Sequence, residues 1–226
     1  MGTNGCVHAG AGPLHHVLVV DRSGSMGSGD AQPTNHYLQQ SHPNRLGAVL
    51  DACNQYLVMR HGKSQNDVVS FIAFENGATT IFAGQPLQPD VLFERMRSVR
   101  VGGGTDFSPA LDRVSEVVES VERSGTRGCV VIFLSDGEGS FQEGNLRRLL
   151  QGRMNRGQSM VRLHTIKFGS GHSAELQRMV DIVKSFSQSD KFASQSSYST
   201  RVGGIQLAEH FEALASSLNK GGFLVT

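Results

Sequence analysis

The sequence has little of what marks a membrane, nucleic-acid or disulfide-bonded protein. No apolar stretch reaches the roughly 18 residues that read as a membrane span. Net charge is +1 and there is no basic run, so nucleic acid has no electrostatic footprint to follow. There are three cysteines, an odd number, and none has the CxxC or Cys/His spacing of a zinc site. Cys53 falls on an apolar helical face, Cys129 opens an apolar strand and Cys6 sits near the N-terminus. Reduced thiols that fill core space are the simplest expectation, and they fit a cytoplasmic protein.

Targeting and catalytic signals are also missing. The opening "MGTNGCVHAGAGP" lacks the basic start and apolar run of a signal peptide. Cys6 stands where a myristoylation signal wants Ser or Thr. Residues 1–13 are therefore expected to be a flexible leader, and residues 14–226 a single domain. There is no GxSxG nucleophile elbow. "AGAGPLHH" and "GSMGSG" are rich in glycine, but neither carries the dinucleotide fingerprint or a Walker lysine. Nine histidines are scattered. His164, within a strand, and His36, in a loop, are expected to be structural or solvated.

Glycine is abundant, 27 of 226 residues or about 12%, against an average of about 7%. Many glycines lie between apolar segments, which implies tight, closely shaped loops. "LHHVLVVD" at 14–21 reads as a first strand. A polar segment from Arg22 to Pro43 follows, long for a strand-to-helix connection. Its composition argues against core packing, and a short linker replacing 28–42 is expected to keep the fold. Leu46, Val49, Leu50, Cys53 and Leu57 then make one face of a helix.

"DVVSFIAFENGATTIFAG" gives two strands, about 67–74 and 79–83. Asn76-Gly77 between them signals a hairpin, hence an antiparallel edge. A short helix is expected over 90–98. A longer one starts near Ser108-Pro109, with Ser108 as cap, and carries Leu111, Val114, Val117, Val118 and Val121. "CVVIFLSDGEGS" is a continuous apolar strand ending at Ser135-Asp136, suited to a central parallel position. A helix near 144–154, a strand at 161–168, a helix at 172–184, a weak strand near 190–194 and a last helix stopping at Gly221-Gly222 complete the pattern. Arg147-Arg148 read as an exposed helix face. Strands alternating with helices predict a doubly wound α/β fold, with a mostly parallel central sheet, one antiparallel edge strand and helices on both faces.

In such sheets ligands bind at the carboxyl ends of the strands, where strand order reverses. Asp21 ends the first strand, Asp136 ends the most apolar one, and Thr105 lies in a loop entering a helix. Asp21, Ser23 and Ser25 follow the first strand at steps of two. They are either a polar turn or half of a cation site. If the three loops meet, Asp21, Ser23, Ser25, Thr105 and Asp136 form an all-oxygen cluster. Such donors select hard cations, and small hydroxyl ligands favour magnesium. Gly24 would let the turn close. Asp106 and Glu138 flank the loops, in capping or solvated positions or as partners of the site.

"DRSGS" at 21–25, "GGGTD" at 102–106 and "LSDGE" at 134–138 resemble the three loops of von Willebrand factor A domains, in order and rough spacing over about residues 14–220. The resemblance implies a Rossmann-like fold with a metal-ion-dependent adhesion site. Ser23, Ser25 and Thr105 would then be direct hydroxyl ligands, with Asp21 and Asp136 direct or water-mediated. It further implies bound magnesium, or manganese or calcium, completed by an Asp or Glu of a partner protein. The expected function is non-catalytic, metal-dependent protein interaction. Magnesium-dependent hydrolysis or phosphoryl transfer at the same ion, or an ion that only pins the loops, are the alternatives.

Overall fold

The structure is a computed structural model that describes residues 13–122, 128–137, 139–156, 161–170, 172–186, 193–201 and 203–218. The leader with Cys6, Glu138 and the stop at Gly221-Gly222 lie outside these. In chain order the elements are β1 (Leu14–Asp21), α1 (His36–Ser41), α2 (Arg45–His61), β2 (Val68–Phe74), β3 (Ala78–Pro86) and α3 (Pro89–Met96). They continue with α4 (Phe107–Glu122), β4 (Gly128–Ser135), α5 (Glu143–Asn155), β5 (Val161–Phe168), α6 (Ala174–Phe186), β6 (Ser197–Arg201) and α7 (Gly204–Ser217).

The strands form one sheet in the order β3-β2-β1-β4-β5-β6, parallel throughout except for β3 against β2. The Asn76-Gly77 hairpin thus makes the antiparallel edge its sequence predicts. β1, β4 and β5 are buried along their whole length. β4 accordingly runs apolar without alternation, whereas β5 buries Arg162, His164, Thr165 and Lys167 between its apolar residues. Side chains of β1 divide by pleat: Leu18 and Val20 enter a core with α1, α2, α3 and α7, while Val17 and Val19 enter a second core with α4, α5 and α6.

Three sequence expectations need correction. The segment after Ser25 does pack as core: Met26 and Leu38 are fully buried, and His42 donates from Nε2 to the Val99 carbonyl at 2.8 Å. Asp51 of α2 anchors the same segment, accepting from Thr34 N and Oγ1 at 2.7 Å and from Asn35 N at 3.0 Å. Met26 is turned inward by a 3-10 turn at Gly24–Gly27 and Leu38 by α1, which Asn35 caps. Replacing 28–42 with a linker would therefore cost stability. Second, Asp106 rather than Ser108 caps α4, accepting from Ser108 N at 2.9 Å, and Pro109 falls within the first turn. Third, of the weak strand expected near 190–194 only the last two residues are described, within a 3-10 turn at Ala193–Gln195, and the last described strand is Ser197–Arg201.

At the amino ends of the strands sits a buried polar network. Asp67 accepts from His16 Nε2 at 2.9 Å, Leu14 N at 3.0 Å, Ser64 Oγ at 2.9 Å and the Arg60 guanidinium. Tyr56 OH lies 2.8 Å from His16 Nδ1, so the neutral imidazole accepts there and donates to Asp67. His15 Nε2 lies 2.8 Å from Ser70 Oγ on the opposite face of β1.

Burial holds these imidazoles neutral. It pushes His15 and His164 down to about 3, helped by nearby positive charge from Arg153 and Arg162 respectively. The unfolded chain titrates near the ordinary value of about 6.5, so it takes up protons there that the folded chain refuses. Stability is fully present above about pH 6.5 and falls as the pH drops toward 3. Between pH 7 and 5 each of these two histidines should remove roughly 2 kcal/mol. Urea unfolding at both pH values measures the loss. His164→Gln should reduce the dependence by about one proton, and an unmoved midpoint would contradict buried neutral imidazoles.

Candidate metal centre

β1 pairs with β2 on one side and β4 on the other, so the connections leave in opposite directions and open a crevice at their carboxyl ends. Asp21 is the last residue of β1, and Asp136 directly follows β4. Both aspartates and Ser23 are buried, Ser25 is exposed and Thr105 is half-buried.

Hydrogen bonds join four of the five expected residues. Ser23 N donates to Asp21 Oδ1 at 2.7 Å, closing the turn. Ser23 Oγ and Ser25 Oγ are 3.1 Å apart, and Ser25 Oγ donates to Asp136 Oδ1 at 2.8 Å. The fifth, Thr105, faces the same crevice: its Oγ1 lies 3.3 Å from where a Cβ on Gly137 would stand. A side chain at 137 would therefore press on the threonine hydroxyl.

The backbone clamps the loops together. Arg22 N donates to Phe74 O at 2.8 Å, Gly102 N to Arg22 O at 2.8 Å and Gly24 N to Gly103 O at 3.0 Å. Gly24 contributes through this contact and not through unusual backbone freedom. Gly103 is the residue with positive φ, +71°, and a Cβ there would fall 1.6 Å from Glu75 Oε2. Asp106 N donates to Glu75 O at 2.9 Å. The 102–106 loop is therefore held by the β2–β3 hairpin as well as by the turn after β1.

Sequence reasoning missed three side chains that shape the crevice. Ser135 Oγ donates to Asp21 Oδ2 at 2.6 Å and accepts from Gly137 N at 3.1 Å. Arg45, the first residue of α2, reaches Asp136 Oδ2 with Nη1 at 2.5 Å. The same guanidinium grips Asp30 with both Nε and Nη2, at 2.7 and 2.5 Å. Lys167 of β5 donates to the Asp136 main-chain carbonyl. Only Ser135 had a signal, its place inside "LSDGE"; Arg45 and Lys167 arrive from distant elements.

Charge is therefore unevenly compensated. Asp136 has a guanidinium, while Asp21 has two hydrogen bonds from serines and no basic partner among the described residues. Burial pushes the Asp21 carboxyl above its ordinary range, hydrogen bonds from Ser135 and Ser23 oppose this, and the nearby Asp136 charge adds to it. Among the described residues no three His, Cys, Asp or Glu side chains gather as metal ligands. The donors at hand are two carboxylates and three hydroxyls, all oxygen, which fits a hard divalent cation and not zinc or copper by preference. His36 is exposed on α1, and Arg147 and Arg148 lie on an exposed face of α5.

Fold and crevice together define a doubly wound α/β domain with an oxygen-donor cluster at its switch point. The profile of the von Willebrand factor type A domain matches residues 16–138, and the chain belongs to that family. No curated protein sequence matches the chain. Several solved structures share the fold at low identity. Proximal thread matrix protein 1 from the mussel byssus has a TM-score of 0.62 at 14% identity, with 90% of this chain aligned to 47% of that one. A second form of that protein is described as having a zinc-occupied MIDAS motif. The SpRpn10 VWA domain has a TM-score of 0.62 at 17% identity, covering 88% of this chain and 93% of that one. The PilB minor pilin from Streptococcus sanguinis has a TM-score of 0.65 at 13% identity, covering 94% and 62%. The chain thus spans about half of the mussel protein and three-fifths of the pilin.

Arg45 is the built-in counter-charge of Asp136, whose carboxylate is buried. Removing one partner of such a pair leaves the other uncompensated. Arg45→Gln should lower stability in EDTA by on the order of 2 kcal/mol, discounted for the partial exposure of the arginine. Denaturant titration with chelator present measures this, and wild-type stability in the variant would mean the pair contributes nothing.

Proposed function

We propose that this domain binds a divalent cation, magnesium first, with manganese or calcium as substitutes, through Asp21, Ser23, Ser25, Thr105 and Asp136. The ion is then presented to an Asp or Glu of a protein partner. The observation that carries this reading is Asp21: a fully buried carboxylate with hydroxyl and amide partners but no described basic partner, beside an exposed serine hydroxyl. When bound, the ion would supply a positive charge that its mostly neutral ligands leave partly unbalanced, and so attract a carboxylate. The zinc-occupied motif of the mussel protein supports divalent-ion occupancy in a domain of this fold.

The reading is of a non-catalytic interaction domain spanning 14–226, placed in the cytoplasm, where Cys53 and Cys129 stay reduced. Both thiols are free and buried. Among the described residues no helix is long and apolar enough to cross a membrane. Arg45 gives the site a second feature. Its guanidinium lies against a proposed ligand, so it opposes the metal while favouring an incoming anion.

Titration calorimetry with magnesium and manganese tests the site. Wild type should bind and Asp21→Ala should not; equal heats in both would remove the assignment. Affinity capture with magnesium against EDTA tests the partner chemistry. Thr105→Ala should fold normally and lose capture, whereas Val131→Ala, buried in β4, should cost on the order of 2 kcal/mol of stability.

Arg45→Gln should move the two ligands in opposite directions. Magnesium affinity should rise on the order of tenfold as a competing charge leaves, and capture of an acidic partner should weaken. Calorimetry and capture on the same variant decide this, and parallel changes would mean that Arg45 acts only on the fold.

A further inference from the structure

α2 and α7 lie side by side on one face of the sheet, and between them runs an open groove of about 510 Å³. Val58, Met59, Ile205 and Ala208 line it with apolar surface. Val58 and Ile205 are 51% and 68% exposed, unusual for large aliphatic residues on helices whose other apolar faces are buried. Glu209 and Glu212 line the α7 side, and neither makes an ion pair among the described residues. Lys63, two residues past α2, donates from Nζ to Ser216 Oγ at 2.8 Å, one turn past Glu212. The Asn54 side-chain oxygen is buried at the groove wall with no hydrogen-bond partner.

These features ask for one kind of occupant. The apolar floor needs apolar side chains. The two exposed carboxylates, without an ion pair among the described residues, give the α7 side a negative charge that favours cations. From Ile205 to Glu212 the helix rises roughly 10.5 Å, about two turns. A third helix laid in the crevice would meet it with residues at i, i+3, i+4 and i+7. We infer that the α2–α7 groove docks a basic amphipathic helix of a partner protein, with Leu-like anchors between Val58 and Ile205 and Lys or Arg over Glu209 and Glu212. This surface is separate from the Asp21 crevice, and its occupation does not rest on the metal reading.

The test uses two fluorescein-labelled helical peptides with Leu at i, i+3, i+4 and i+7, filled out with Lys in one and Glu in the other. Anisotropy is read against the full chain in EDTA. The Lys peptide should bind saturably and the Glu peptide should not. Ile205→Asp and Val58→Asp, at exposed positions where folding is not at stake, should each weaken binding at least tenfold. The double variant Glu209→Lys, Glu212→Lys should reverse the preference toward the Glu peptide. Far-UV circular dichroism confirms that the variants are folded. Lys-peptide binding that survives Ile205→Asp, or no saturable binding in wild type, overturns the inference. So does a concentration-dependent dimer that Ile205→Asp abolishes, since the groove would then belong to a second copy of the chain.

Discussion

One carboxylate sets the terms for the carboxyl end of this sheet. Asp21 ends the central strand fully buried, and a charge removed from water must be met by hydrogen bonds or a cation. The turn after β1 supplies the Ser23 amide and β4 supplies the Ser135 hydroxyl, so the strand's own turn and the end of β4 are drawn to it. The remaining contacts follow from that closure. Gly24 must approach Gly103, Gly102 must bond to Arg22, and Gly103 must leave room for the Glu75 carboxylate. The turns after β1 and β4 and the α3–α4 loop are thereby locked into one crevice.

The amino end of the same sheet solves the same problem differently. Asp67 is also buried, but it has the Arg60 guanidinium, the His16 imidazole, a serine hydroxyl and a backbone amide. Its carboxyl is held well below the usual range, although burial by itself would raise it. That end is electrostatically closed and serves the fold. Asp21 lacks the guanidinium that Asp67 has, and this difference separates a structural polar network from a crevice with room for a ligand.

Asp136 stands between these cases. Arg45 and Lys167 reach its side chain and backbone, so the crevice is less negative than two carboxylates alone would make it. Asp30, on the polar segment after Ser25, holds Arg45 in turn with two bonds. That segment is consequently part of the electrostatics of the site as well as of the core, through Asp30 on one side and Met26 and Leu38 on the other. The uncovered α2–α7 groove lies at its far end, where Thr34 forms part of the lining.

The mostly parallel α/β sheet and its antiparallel edge were largely legible in the sequence, because both depend on local signals. A continuous apolar run marks a strand covered on both faces, Asn76-Gly77 marks a hairpin, and two of the three short motifs fall at strand ends, the third lying between α3 and α4. The cap of α4 was placed two residues late because Ser108 and Asp106 are both capable acceptors, and only backbone geometry chooses between them. The inward packing of Met26 and Leu38 was hidden because two residues in a polar stretch carry no periodicity. Arg45, Lys167 and the groove between α2 and α7 had no local signature at all. Their roles depend on which elements lie side by side, and side-chain charge and exposure at such junctions are decided by tertiary packing, which brings together residues as far apart in the chain as Arg45 and Asp136.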